Sequence, residues 1–179
     1  MAIKAIVLRA AGTNCDTEAM HALKLSGFEA HDVHVNELIS GAKKLSDYRF
    51  LVVPGGFSAG DYLGSGKVFA NKLIYKLNDD VPEFISQNNL LIGICNGFQV
   101  LVKAGILPGF AGNYKEQLTS LTFNNPSGFQ DRWVKLIVQQ AKSPFVKGIS
   151  ELNVPIAQGE GRFIVKTPEV LEKLYANRQ

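Results

Sequence analysis

The sequence predicts an α/β protein with a doubly wound, mostly parallel sheet and an antiparallel or mixed extension after it. Three observations carry that prediction. Short apolar runs alternate with helix-spaced segments from Lys4 to Ala104. Three of those runs end in turns rich in glycine or small residues, after Leu8, Val53 and Ile94. Beyond residue 113, strand-like segments follow one another with few helices between them.

The elements read in order. Lys4 to Leu8 is a buried strand, Arg9 to Asn14 a turn, and Asp16 to Ser26 a helix stopped by Gly27. Glu29 to Val35 alternates as a second strand. Phe50 to Val53 is a third, ending in Pro54-Gly55-Gly56. One or two helices fill Lys67 to Asn88. Leu90 to Ile94 is a fourth strand, and Gly97 to Ala104 a helix stopped by Gly105. Leu118 to Phe123, Arg132 to Val138 and Arg162 to Val165 read as the strands of the extension, with a last helix from Pro168 to Tyr175. Sheets of this kind commonly run in the order 2-1-3-4 and take ligands at the carboxyl ends of their strands.

Composition narrows the class. The 179 residues are 46% hydrophobic and 20% charged, which suits one globular domain spanning 1–179. The net charge of +3 is scattered. No basic stripe interleaved with aromatics occurs, so nucleic acid is not an expected partner. No run approaches the ~18 apolar residues of a membrane span. The N-terminus lacks a signal-peptide core. Two cysteines, Cys15 and Cys95, make no disulfide framework. A reducing cytoplasm is the expected location.

The sharpest motif is Gly93-Ile94-Cys95-Asn96-Gly97, directly after an apolar strand and before a helix. A nucleophile elbow needs that pattern: a strained residue at the turn, and small neighbours that let strand and helix pass closely. The helix N-terminus offers a positive dipole end to a thiolate and free N–H groups to an oxyanion. A buried, inert cysteine is the plainer reading, and the glycine spacing favours the elbow. Cys15 follows a strand-end turn with Asp16 beside it, which disfavours its thiolate, so Cys95 is the expected reactive thiol. Pro54-Gly55-Gly56-Phe57 ends the neighbouring strand in backbone that can approach a ligand.

Other patterns read as decoys or surface. Gly60 to Lys67 resembles a phosphate loop but has Asp61 and Val68 where that loop needs glycine and a hydroxyl. Gly64-Ser65-Gly66 lacks the third glycine of a dinucleotide fingerprint. No metal-ligand cluster is present; the histidines, His21, His31 and His34, sit without cysteines at zinc spacing. Gly159-Glu160-Gly161-Arg162, taken alone, is a turn with a surface ion pair.

Gly93 to Gln99 resembles the G-x-C-x-G-x-Q signature of class I glutamine amidotransferases. Gly12-Thr13-Asn14-Cys15-Asp16, Pro54 to Tyr62, Arg132-Trp133-Val134 and Gly159 to Arg162 resemble, with it, the branch of that family formed by the glutaminase subunits and domains of phosphoribosylformylglycinamidine synthase. The resemblance runs from Ile6 to Phe163 and implies a flavodoxin-like sheet. It implies that Cys95 attacks the side-chain amide of glutamine. The backbone N–H groups of Gly56 and Asn96 would hold the oxyanion, with Gly55, Phe57 and Gln99 at the substrate and Glu160 and Arg162 as auxiliary residues. It implies a synthetase subunit as partner, with ATP and magnesium held there and no cofactor or metal in this chain.

The sequence departs from the family's pattern in three places. Gln158 precedes Gly-Glu-Gly-Arg where histidine is usual, and Asp131 precedes Arg-Trp where cysteine is common. The family's Pro-His-Pro-Glu segment, which carries its catalytic histidine and glutamate, does not occur before Gln179. The expectation is therefore a clipped domain with little glutaminase activity of its own. A catalytically silent protein that docks on the synthetase is the alternative. A cysteine hydrolase of the superfamily containing the PfpI proteases ranks below both, because Asn96 stands where that group places histidine.

Overall fold

The computed structural model describes residues 2–139 and 142–179. The chain forms two compact units, 1–117 and 118–179.

In the first unit, β1 (Lys4–Arg9) is central, and Ala5, Ile6, Val7 and Leu8 are fully buried. A strand covered on both faces has no polar side to present, which is why this segment is a continuous apolar run. Helix α1 (Asp16–Leu25) places acidic residues in its first turn and Lys24 in its last, as the helix dipole favours. The edge strand β2 (Glu29–His34) alternates and buries only Val33. Val35 does not continue it: a five-residue helix, α2 (Val35–Ile39), begins there. His34 caps that helix, its Nδ1 accepting from the Asn36 N–H at 3.2 Å while its own N–H donates to Glu37 Oε1 at 2.9 Å. This reciprocal cap starts the helix one residue before the alternation would end.

Strand β3 (Phe50–Val53) is buried throughout. Two helices, α3 (Lys67–Lys76) and α4 (Asp80–Ser86), precede β4 (Leu90–Gly93), and α5 (Asn96–Lys103) follows it. The sheet order is β2-β1-β3-β4, every pair parallel. The core joins Ile6, Leu8, Leu51 and Val53 to Phe69, Leu73, Val81, Phe84, Val100 and Leu101 from the helices. Each such side chain contributes about 1.5–3 kcal/mol by burial. The strand order switches between β1 and β3, so a crevice opens at the carboxyl ends of these neighbouring strands, beside the end of β4.

The second unit is antiparallel throughout rather than mixed. β5 (Thr119–Thr122) pairs with β8 (Arg162–Val165), and β6 (Gln130–Ile137) with β7 (Glu151–Gln158). Sequence reasoning missed β7 because Pro155 interrupts it, and proline demotes a segment as a strand. The structure accommodates Pro155 opposite Trp133 in a two-stranded pair, whose outer side needs no N–H donor. Helix α6 (Pro168–Asn177) opens on proline, packs on β8 and buries Val170. Among the described residues no helix is long and apolar enough to cross a membrane.

Candidate active site

Cys95 sits between β4 and α5 with φ 53° and ψ −113°. That backbone is sparsely populated for a residue with a side chain and costs about 1–3 kcal/mol. The flanking glycines explain how it persists. A Cβ on Gly97 would lie 1.8 Å from the Val53 carbonyl oxygen, and one on Gly93 would lie 2.7 Å from the Gly97 oxygen. Strand and helix therefore touch backbone to backbone on either side of the cysteine. The turn closes through Gly97 N–H to Ile94 O at 2.8 Å and Ile94 N–H to Val53 O at 3.0 Å. Cys95 is exposed. The Asn96 N–H opens α5 and has no acceptor within it.

The facing wall is built from two turns laced together. Phe57 N–H donates to Gly12 O at 3.0 Å, and Ala59 N–H to Ala11 O at 2.7 Å. Thr13 and Gly56 form an isolated antiparallel bridge. Gly56 has φ 126°, and a Cβ there would lie 2.3 Å from Asn14 Oδ1. Only glycine fits, and its backbone is brought to the end of β3. Gly55 is buried beside Cys95, whereas the Phe57 side chain is 55% exposed.

Behind the elbow lies a buried polar network. The Asn96 side chain is 3% exposed. Its Oδ1 accepts from Ser58 Oγ at 2.6 Å, and its Nδ2 donates to Asp61 Oδ1 at 3.1 Å and Gln99 Oε1 at 3.0 Å. Gln99 is thus buried, its amide oxygen occupied by Asn96. Lys103, one turn on, is also buried and donates to Ser65 O at 2.8 Å. Together these clamp the 58–66 loop along α5. Ala59, Gly60 and Asp61 run through the left-handed region at φ 53°, 65° and 53°. That conformation costs roughly 1–2 kcal/mol per non-glycine residue, which the Asp61 contacts to Asn96 and to the Gly66 N–H offset. The stretch resembling a phosphate loop is this clamped segment. Sequence reasoning included Ser58 and Asp61 only as part of the Pro54 to Tyr62 motif and did not single out Lys103; their role as buried partners of α5 is revealed only by the tertiary contact.

Two of the histidines are committed elsewhere. His31 meets Tyr48 Oη at 3.1 Å and Glu29 at 3.0 Å, and His34 caps α2. Their strand is three positions from β4, about 14 Å at ~4.8 Å per strand. His21 is an exposed residue of α1. Burial pushes the Cys15 thiol above its ordinary 9.0, helped by Glu18, Cys95 and Asp16. The direction matches the sequence expectation; the leading cause is burial rather than Asp16. In the second unit, Glu160 lies in the turn between β7 and β8, and Arg162 opens β8. Asn124 fixes that turn, donating to Gln158 O at 2.8 Å and accepting from the Gly161 N–H at 2.9 Å. Among the described residues no three-residue group of His, Cys, Asp or Glu is placed to hold a metal ion.

Comparison with known proteins bears on the same elements. Residues 2–179 match the family model of the CobB/CobQ-like glutamine amidotransferase domain. The chain is 44% identical over 160 residues to phosphoribosylformylglycinamidine synthase subunit PurQ of Methanococcus maripaludis, covering 89% of this chain and 59% of that one. It is 43% identical over 173 residues to the subunit of the same name from Dehalococcoides mccartyi, covering 96% and 67%. The structure of PurLQS from Thermotoga maritima superposes with a TM-score of 0.77 at 34% identity, over 94% of this chain and 72% of that one. The chain spans about three fifths of the length of the curated PurQ relatives from M. maripaludis. It belongs to the CobB/CobQ-like glutamine amidotransferase family, within the branch that holds the PurQ subunits.

Proposed function

We propose that this chain is the glutaminase component of a phosphoribosylformylglycinamidine synthase. The observation that carries the reading is Cys95 at φ 53°, held between two glycines that cannot be anything else and set beside the Gly55-Gly56 backbone. Its sulfur attacks the side-chain amide carbon of glutamine. The oxyanion is met by the Gly56 and Asn96 N–H groups, donors from two loops that the Asn96–Ser58 hydrogen bonds hold together. One such donor is worth about 10²–10³ in kcat. Ammonia leaves, a glutamyl thioester remains, and water then releases glutamate. Gly55 keeps the approach clear, Phe57 borders it, and Gln99 acts as a positioning residue through Asn96. Glu160 and Arg162 keep their auxiliary assignment.

Ammonia in water is mostly protonated and then not nucleophilic, so the reading includes docking on a synthetase subunit, which holds ATP and magnesium. A relative named as a synthase subunit supports that partner. A second reading keeps the docking without catalysis. The observation favouring it is that His31 and His34 are committed to partners on the far strand, while the leaving ammonia needs an acid and the thioester a base.

The test measures glutamine hydrolysis by this chain with synthetase present. The glutaminase reading expects ammonia release that Cys95→Ala abolishes. A chain that binds the synthetase yet releases no ammonia establishes the second reading. Release that survives in Cys95→Ala would overturn the assignment of Cys95 as the nucleophile.

A further inference from the structure

Cys15 and Cys95 are 80 positions apart in sequence, yet both border one glycine. A Cβ on Gly55 would lie 3.2 Å from Cys95 Cβ and 3.5 Å from Cys15 Sγ. The two cysteine atoms are therefore no farther apart than those distances added. Gly55 puts no side chain between them. Its carbonyl accepts from the Cys15 N–H at 3.4 Å, which ties the Cys15 backbone to the same strand end. Both cysteines are free and are exposed residues, although the Cys15 thiol is partly desolvated. Their mutual influence shows also in Cys95 being among the groups that push the Cys15 thiol upward.

We propose that Cys95 is a peroxide-oxidised residue and Cys15 its resolving thiol, the two forming a reversible disulfide across Gly55. Cys95 thiolate attacks one peroxide oxygen. The S–O bond forms, the O–O bond breaks, and the departing hydroxide takes a proton and leaves as water. The resulting sulfenic acid is attacked by Cys15 sulfur. The S–S bond forms, the S–O bond breaks, and the hydroxyl leaves with the Cys15 proton as a second water. Two thiols and one peroxide give one disulfide and two waters, the peroxide taking up two electrons. A dithiol reverses the change. A disulfide needs its Cβ atoms about 3.5–4.5 Å apart, so the oxidised state brings Cys15 and Cys95 to that separation across Gly55.

The bridge would cap the sulfur that the proposed function makes the nucleophile and so halt ammonia release. That consequence rests on the glutaminase reading; the bridge itself does not. It also protects Cys95, because a sulfenic acid captured by a neighbour does not proceed to sulfinic acid.

The test treats the reduced chain with hydrogen peroxide, blocks remaining thiols by alkylation and maps peptides without reductant. The expected result is a Cys15–Cys95 linked peptide pair in monomeric chain, with loss of both free thiols and return of both under dithiothreitol. In Cys15→Ser, and in Cys15→Ala as a second variant, the same dose should carry Cys95 to sulfinic acid that dithiothreitol does not restore. Equal sulfinic acid formation in wild type and variants would overturn the proposal, as would a bridge that joins two chains. Uptake of an electrophilic glutamine analogue by the reduced chain is measured in parallel. A bridge in a chain that takes up no analogue defeats the glutaminase reading and leaves the disulfide standing.

Discussion

The units 1–117 and 118–179 differ in how completely they bury what they carry. In the first, β1 and β3 are buried under the helices, and the buried core cluster lies between Ile6 and Ile106. In the second, two-stranded pairs leave Phe123, Phe129, Trp133 and Ile137 mostly exposed. The glycines mark the same contrast. Those around Cys95 touch neighbouring backbone, whereas a Cβ on Gly128, Gly148 or Gly159 would meet nothing within 4 Å. A strained residue persists only where its surroundings over-determine it. The densely packed unit is accordingly the one that holds the elbow.

Paired substitutions test this contrast, the largest expected effect first. Phe69→Ala, in a core position 2% exposed, should cost about 3–5 kcal/mol in urea unfolding. Trp133→Ala, 73% exposed, should change stability by under about 0.5 kcal/mol. A large loss at Trp133 would mean that its face is covered in solution. Gly97→Ala should cost about 3 kcal/mol or more, because the new methyl meets a carbonyl oxygen of β3 that cannot swing away. Gly159→Ala should fall within about 0.5 kcal/mol of wild type. Equal effects at the two glycines would break the comparison.

Within the first unit, Asn96→Ala sharpens it. Ser58, Asp61 and Gln99 would lose a buried partner, at about 2 kcal/mol, while the Asn96 backbone N–H remains. His34→Ala should cost about 1 kcal/mol by uncapping α2, with no effect on thiol chemistry at Cys95. A change in Cys95 labelling in that variant would show that β2 reaches the site after all.

Legibility in the sequence follows the same division. The four parallel strands, their order and the elbow were readable, because burial leaves apolar runs in β1 and β3, an edge position leaves alternation in β2, and backbone contact demands glycine. β7 was hidden by Pro155, and α2 by a cap whose histidine reads equally well as part of a strand. The positions of Cys95, Gly56 and Gly97 followed from turn chemistry. The burial of Asn96, Gln99 and Lys103 did not, since polar residues look alike in sequence whether they face water or a neighbouring loop. The nearness of Cys15 to Cys95 likewise needed the lacing of two turns around Gly55.

Competitive thiol mapping tests the elbow most directly. The folded chain is treated with limiting iodoacetamide across a pH series and the adducts are located. Because burial and nearby negative charges raise the Cys15 thiol above 9.0, that residue stays protonated at neutral pH. Its labelling should climb mainly in the alkaline range, and should move to lower pH when the chain is unfolded in urea. Cys95 should take the label first at neutral pH. Preferential labelling of Cys15 in the folded chain would contradict the assignment of Cys95 as the reactive thiol.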